Sequence, residues 1–290
     1  MAAYPEDLRR LVEGYLERLS FSDGEATAGL DDAMRYSLLA GGKRIRPVLC
    51  LAAARSAGTE PETVLPAAAS IELIHTYSLI HDDLPAMDDD ELRRGRPTSH
   101  VVHGEDVAIL AGDGLFAEAI GHFCDHQEGD PERVLVALAE LAKATGVGGM
   151  VGGQYVDVTA GDELDADGLR RLHSLKTGRL IGASVLVPLL LAGLPEEQLG
   201  PYRRFAGELG VLFQIVDDIL DVTGSDEQLG KPQGSDERHG KLTYVSLFGL
   251  ERARELAAES HRNARAALAE VAGETTDLAR ITDFIHTRQA

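Results

Sequence analysis

Six acidic residues, Asp82, Asp83, Asp88, Asp89, Asp90 and Glu91, stand just before Arg93, Arg94 and Arg96 in the stretch YSLIHDDLPAMDDDELRRGRP, residues 77–97. Carboxylates are hard oxygen donors that suit Mg²⁺, and guanidinium forks match phosphate oxygens, so the two side by side suit a magnesium-bound diphosphate. A second acidic group, Asp217, Asp218 and Asp221, lies in FQIVDDILD, residues 213–221. Residues four apart share a helix face, so Asp217 and Asp221 repel each other. Nothing basic lies within reach along that segment, and the pair requires a cation or a partner from elsewhere. Each helix offers only one or two well-aimed carboxylates, so a multi-metal diphosphate site needs two such segments. The competing reading of the first stretch is an acidic surface turn.

The positioning elements read as helices. Ile71, Ile74, Ser78 and Leu79 follow helical spacing, which puts Asp82 at a helix end, with Pro85 ending regular hydrogen bonding soon after. Aspartates there oppose the helix dipole, which favours a bound cation. Further helices are predicted from Pro5 to Leu19, over Leu30–Leu39 with a stop at Gly41-Gly42, and over 47–57, 62–83 and 105–126. Asp130-Pro131 is a cap followed by a proline suited to the first turn, opening a helix through Ala144. Others run through Gln154, Lys176 and Gln214, over 252–271 and from Thr276. No alternating strand pattern, linker or fixed-period repeat appears. The expectation is all-α: one domain over residues 1–290, a large helical bundle around a central cavity.

Composition narrows the partners. With 28 basic and 48 acidic residues the formal charge is −20, which argues against nucleic acid or an anionic membrane. Cys50 and Cys124 have apolar neighbours and no paired spacing, so both are expected as reduced core thiols. The N-terminal MAAYPEDL has neither a basic nor an apolar leader region, and the longest apolar run, Leu180 to Leu194, contains Pro188 and is too short to span a bilayer. A cytoplasmic protein without stable membrane insertion is expected.

The two acidic clusters, Gly41-Gly42-Lys43-Arg44-Ile45-Arg46-Pro47 before them, Lys176-Thr177 between them, and the Gly230-Lys231 and Gly240-Lys241 segments after them resemble, in order, the trans-prenyltransferases. These are the short-chain polyprenyl diphosphate synthases, and the likeness is greatest to bacterial farnesyl diphosphate synthases and their geranylgeranyl relatives. The resemblance implies the isoprenoid synthase fold, a homodimer, and head-to-tail condensation of isopentenyl diphosphate with an allylic diphosphate. It implies three Mg²⁺, with Asp82 and Asp88 as ligands of two, Asp217 of the third, and Asp83, Asp218 and Asp221 as outer or water-bridged ligands. By the same likeness Arg93, Lys176 and Lys231 hold the allylic diphosphate, with Lys241 nearby. Lys43, Arg46, His75 and Arg94 hold the other diphosphate, and the oxygens of Thr177 and Gln214 face the allylic cation. Four of only five lysines fall in these segments of an otherwise arginine-rich chain.

Chain length rests on Tyr77. It precedes Asp82 by five residues, roughly 7.5 Å down a helix, where the resemblance associates an aromatic with a C15 product; the adjacent Ser78 offers no second plug. Farnesyl diphosphate is the expected product, with geranylgeranyl diphosphate the alternative. A class I terpene cyclase has no use for Lys43 and Arg46, and a non-catalytic subunit of a heteromeric synthase usually lacks aspartates present here. His81 beside Asp82 mimics a metal-hydrolase pair, but His100, His103 and His173 show no matching Asp partner.

Overall fold

The computed structural model describes residues 4–159, 164–224 and 241–288. Its helices are α1 (Glu6–Leu16), α2 (Ala28–Leu38), α3 (Ile45–Ser56), α4 (Leu65–Asp82, preceded by a 3₁₀ turn over Pro61–Val64), α5 (Ser99–His103), α6 (Glu105–His126), α7 (Pro131–Thr145), α8 (Met150–Thr159), α9 (Ala166–His173), α10 (Arg179–Ala192), α11 (Glu196–Thr223), α12 (Tyr244–Phe248), α13 (Leu250–Ala269) and α14 (Thr276–Thr287).

Helix α4 is apolar on every side, and such a helix has to be buried. It runs through the bundle with α1, α2, α3, α6 and α10 around it. Ala52–Ala54 on α3 and Ala67–Ala69 on α4 let backbones approach closely, while Leu49, Leu51, Ile71, Leu73 and Ile80 fill the core between them. Fully burying each of these larger side chains is worth roughly 1.5–3 kcal/mol. Helix α11, 28 residues long and packed on α10 and α13, is the second long wall. It starts just after Pro195, while α7 starts at Pro131, where the Asp130 carboxylate accepts from Arg133 N (3.1 Å), as the Asp-Pro pair predicts. The all-α expectation is correct.

Four departures have physical causes. The predicted continuous helix through Lys176 is interrupted by one turn of π-helix over Ser174–Gly178. A small antiparallel hairpin pairs Leu92–Arg93 with Arg96–Pro97, turning through Arg94 (φ 54°) and Gly95 (φ 72°); two-residue strands leave no alternation to read. Cys50 is a core thiol, but Cys124 is exposed on α6. Finally, Pro61–Asp82, Glu105–His126, Pro131–Thr159 and Ala166–Ala192 are each long and apolar enough to cross a membrane by composition. The bundle covers 78% of the apolar window in the first and only 33% in the second and third. Leu110 on α6, Leu135 on α7, and Val151 and Tyr155 on α8 remain exposed.

Candidate active site

Helix α4 ends at Asp82, where the sequence places it, and Asp83 caps it. The chain turns back on itself after the helix: Asp88 N donates to the Asp82 carbonyl (2.9 Å) and Asp89 takes φ 52°. Asp82, Asp83 and Asp88 therefore face different surroundings. Asp83 is buried and accepts the Arg93 fork, from Nε (2.8 Å to Oδ1, 2.9 Å to Oδ2) and from Nη2 (2.5 Å to Oδ1). Asp88 accepts from Lys241 Nζ (2.8 Å). Asp82 has no side-chain hydrogen bond or ion pair among the described residues. Burial pushes its carboxyl up to about 6, with Asp88 adding to the rise and Lys176, Arg93 and Lys241 opposing it.

A bridge joins this cluster to the π turn. Lys176 Nζ donates to Asp157 Oδ2 on α8 (2.6 Å), and Lys241 Nζ stands 3.9 Å from the same oxygen. A π turn inserts a residue into the helical register and redirects side chains, and such turns occur often at functional sites. Two glycines make this one possible: a Cβ on Gly153 of α8 would lie 2.2 Å from Lys176 N, and one on Gly210 of α11 would lie 2.9 Å from Gly178 Cα. Asp157 is absent from the sequence-level assignment. The signal available was Gln154 and Asp157 at i,i+3 on one helix face; the Gln154 amide is buried with no hydrogen-bond partner among the described residues, as befits a group awaiting a ligand.

From the π turn Thr177 Oγ1 donates to Gln214 Oε1 (3.1 Å), and Gln214 Nε2 donates to Asp218 Oδ1 (2.8 Å). The other Asp218 oxygen accepts from Tyr244 N (2.7 Å). Asp218 is thus fully buried and committed to positioning Gln214 and α12, which suits an outer role. Asp217, with its side chain 59% exposed, and the buried Asp221 sit on the predicted shared face of α11. The cation that the sequence demanded from elsewhere is Arg288, whose Nη2 lies 3.2 Å from Asp217 Oδ1.

The basic corner is built by the Gly41–Pro47 loop. Gly41 (φ 81°) and Gly42 (φ 122°) take conformations that glycine tolerates best, and Arg44 follows in the left-handed region (φ 52°). That turn sends Arg44 inward to Glu13 (2.9 Å) and the buried Glu72 (2.8 Å), anchoring the loop. Lys43 and Arg46 are left on the other side. Lys43 Nζ lies 5.4 Å from the Phe284 ring centre, Arg46 5.7 Å from that of Phe213, and Arg46 Nη1 reaches His75 Nε2 (3.3 Å). Burial, and then the charges of Arg46, Arg94, Arg93 and Arg44, hold His75 well below its usual value, so it is neutral at pH 7 and accepts from Arg46. Arg94 donates to the Gly41 carbonyl. Its guanidinium lies where a Cβ on Gly42 would be, 2.9 Å away. Arg93 and Arg94, adjacent in sequence, thus serve opposite halves: one the aspartates, the other the loop. Lys231 lies outside the described residues.

Tyr77 is almost fully buried below Asp82, its ring edge-on to Phe116 of α6 (5.3 Å) and to His81 (5.8 Å). Ser78 Oγ donates to the His75 carbonyl and presents no plug. His81 meets the Ile109 carbonyl (3.1 Å), a packing contact between α4 and α6 rather than a metal-hydrolase pair.

Among the described residues no three acidic, His or Cys side chains already converge on one point. Mg²⁺ rarely uses an all-protein cage and instead joins one or two carboxylates to waters and substrate phosphates. A half-buried Asp82 without a side-chain partner of its own among the described residues, flanked by Asp88, fits that donor set.

A match to polyprenyl synthetase covers residues 27–284. The chain is 51% identical over 243 residues, 81% of its length, to the large subunit 1 of a heterodimeric geranylgeranyl pyrophosphate synthase from Arabidopsis thaliana, and spans 66% of that relative's own length. Its fold superposes with a TM-score of 0.83 and 36% identity on a putative farnesyl-diphosphate synthase from Marinomonas, covering 97% of each chain. It also superposes, with a TM-score of 0.87 and 30% identity over 98% of this chain and 97% of the other, on a Helicobacter pylori geranyltransferase complexed with magnesium and isoprenyl diphosphate. With the ordered motifs, the isoprenoid synthase fold and these likenesses in agreement, the chain belongs to the polyprenyl synthetase family.

Proposed function

We propose that this protein condenses isopentenyl diphosphate head to tail with an allylic diphosphate. The observation that carries this reading is the division of one site into an acidic half, with Asp82, Asp88 and Asp217, and a basic half, with Lys43, Arg46, His75 and Arg94. Two diphosphates need such a division, one seated through metal ions and one on cations directly. Asp82, Asp88 and Asp217 would hold three Mg²⁺, which supply Lewis acidity to the leaving diphosphate. Arg93, Lys176, Lys231 and Lys241 hold the oxygens of the allylic diphosphate. Its C1–O bond breaks with the electron pair going to diphosphate, C1 bonds to the terminal alkene carbon of the second substrate, and a proton passes to the departed diphosphate. Thr177 and Gln214, joined by their hydrogen bond, present oxygens that stabilise the cation without attacking it. Holding both substrates at fixed separation supplies the proximity term.

For the product, the relatives named geranylgeranyl synthases favour C20 over the C15 that Tyr77 suggests from sequence. The C15 reading keeps one observation in its favour, the paired rings of Tyr77 and Phe116 below Asp82. The test is the product profile with Mg²⁺, labelled isopentenyl diphosphate and dimethylallyl, geranyl or farnesyl diphosphate in turn. Acceptance of farnesyl diphosphate with C20 formation supports the first reading. Its refusal, with C15 accumulating and Tyr77→Ala lengthening the product, supports the second. No condensation with any primer overturns the function.

The partner proposed for the exposed apolar residues of α6, α7 and α8 is a second copy of the chain. Sedimentation should give a dimer mass, reduced to that of the monomer by Leu110→Glu with Leu135→Glu; a wild-type monomer overturns this.

A further inference from the structure

Arg288 lies just beyond α14, 71 residues from Asp217 in sequence, and occupies the space between the two halves of the site. Its Nη2 is 3.2 Å from Asp217 Oδ1 and 3.4 Å from the Phe213 carbonyl, and its guanidinium stands over the Phe213 ring at 4.4 Å. Arg46, assigned above to the second diphosphate, stands over the same ring at 5.7 Å. Two guanidinium groups therefore share one aromatic side chain and feel each other as like charges. Asp217 attracts both. The Nε atoms of Arg46 and Arg288 are both buried and make no hydrogen bond among the described residues. Glu72 also attracts Arg46, but no hydrogen bond among the described residues reaches either Nε, and buried donors without partners are costly. A dianion placed beside Arg46 would satisfy both.

We propose that Arg288 is a movable ligand shared by the two halves: it guards Asp217 while that carboxylate lacks a metal ion, and turns to the isopentenyl diphosphate on Arg46 once the metal takes its place. This rests on the function proposed above. Its consequence is coupling, because a metal ion that displaces Arg288 frees a cation for the other substrate, and binding couplings are reciprocal. A guanidinium suits the exchange, since its fork accepts either a carboxylate or a phosphate edge.

The test compares wild type with Arg288→Gln and Arg288→Lys by titration calorimetry. With Mn²⁺ alone, Arg288→Gln should bind the ion several-fold more tightly than wild type, because Asp217 is no longer occupied. With isopentenyl diphosphate, saturating divalent ion should tighten wild-type binding about tenfold more than it tightens Arg288→Gln, and Arg288→Lys should restore part of the difference. Wild type that binds no isopentenyl diphosphate overturns the proposed function and this inference together. If wild type binds it but Arg288→Gln matches wild type in Mn²⁺ affinity, or loses substrate affinity equally with and without the ion, this inference alone falls.

Discussion

The two acidic clusters both offer carboxylates from the end of a long helix segment, and their designs are opposite. On the α4 side three of the aspartates have distinct environments fixed by the bend after the helix: Asp83 is tied to Arg93, Asp88 to Lys241, and Asp82 is half-buried with charges around it but no bond to them among the described residues. On the α11 side the aspartates stay in helical register and differ by what packs against them: Asp218 and Asp221 are buried, while Asp217, on the same face as Asp221, is exposed and meets Arg288. The α4 cluster is pre-neutralised by lysines and arginines from several segments; on α11 the exposed Asp217 is met by Arg288 from the far end of the described chain. The first is therefore the more rigid metal seat, the second the more easily exchanged.

That contrast sets the order of effects. Asp82→Ala removes the one carboxylate whose stability calls for a cation, and condensation turnover should fall on the order of 10³-fold. Asp217→Ala should cost less, on the order of 10²-fold, because it also releases Arg288 to the basic half. Steady-state kinetics at saturating Mg²⁺ decide the matter. Equal losses would break the comparison, and near-wild-type rates in both would sink the metal assignment altogether. Asp157→Asn comes next. It leaves the aspartates in place but unties Lys176 and Lys241, so activity should fall about 10–100-fold, the usual range for groups behind a metal site. The loss should appear in KM for the allylic substrate rather than for isopentenyl diphosphate; the reverse pattern would place the lysines in the other half.

Sequence made the acidic clusters and the outer limits of most helices legible because both depend on local spacing: Glu105–His126 coincides with α6, and Asp130-Pro131 opens α7. What it hid depends on packing between distant segments. The π turn looks like ordinary helix until Gly153 and Gly210 bring α8 and α11 against it. Asp157 is one carboxylate in a Gly-Gly-Gln context and acquires meaning only when two lysines converge on it. The role of Arg44 was equally hidden, since only its left-handed backbone separates it from Lys43 and Arg46. Cys124 misled because its outward-facing neighbours on α6 are apolar too, and composition does not distinguish a core face from an open one.

The smallest effect is the most direct probe of the difference in burial between the clusters. In the folded, metal-free protein the Asp82 carboxyl titrates at about 6, above its ordinary 3.8. Between those values the folded chain holds a proton that the unfolded chain has released. Its contribution to stability is thus fully present below about pH 4 and is lost as pH rises through about 6, at most about 3 kcal/mol for a two-unit shift. The rest of the chain, with its net charge of −20, also responds to pH, so the informative quantity is the difference between wild type and Asp82→Asn. Urea unfolding without divalent ion should show wild type losing stability relative to Asp82→Asn between pH 4 and 7. Saturating Mg²⁺ should abolish the wild-type slope, because the cation then does what the proton did. Parallel stability curves for wild type and Asp82→Asn would mean that Asp82 is solvated, and the contrast between a strained seat and an exchangeable one would collapse.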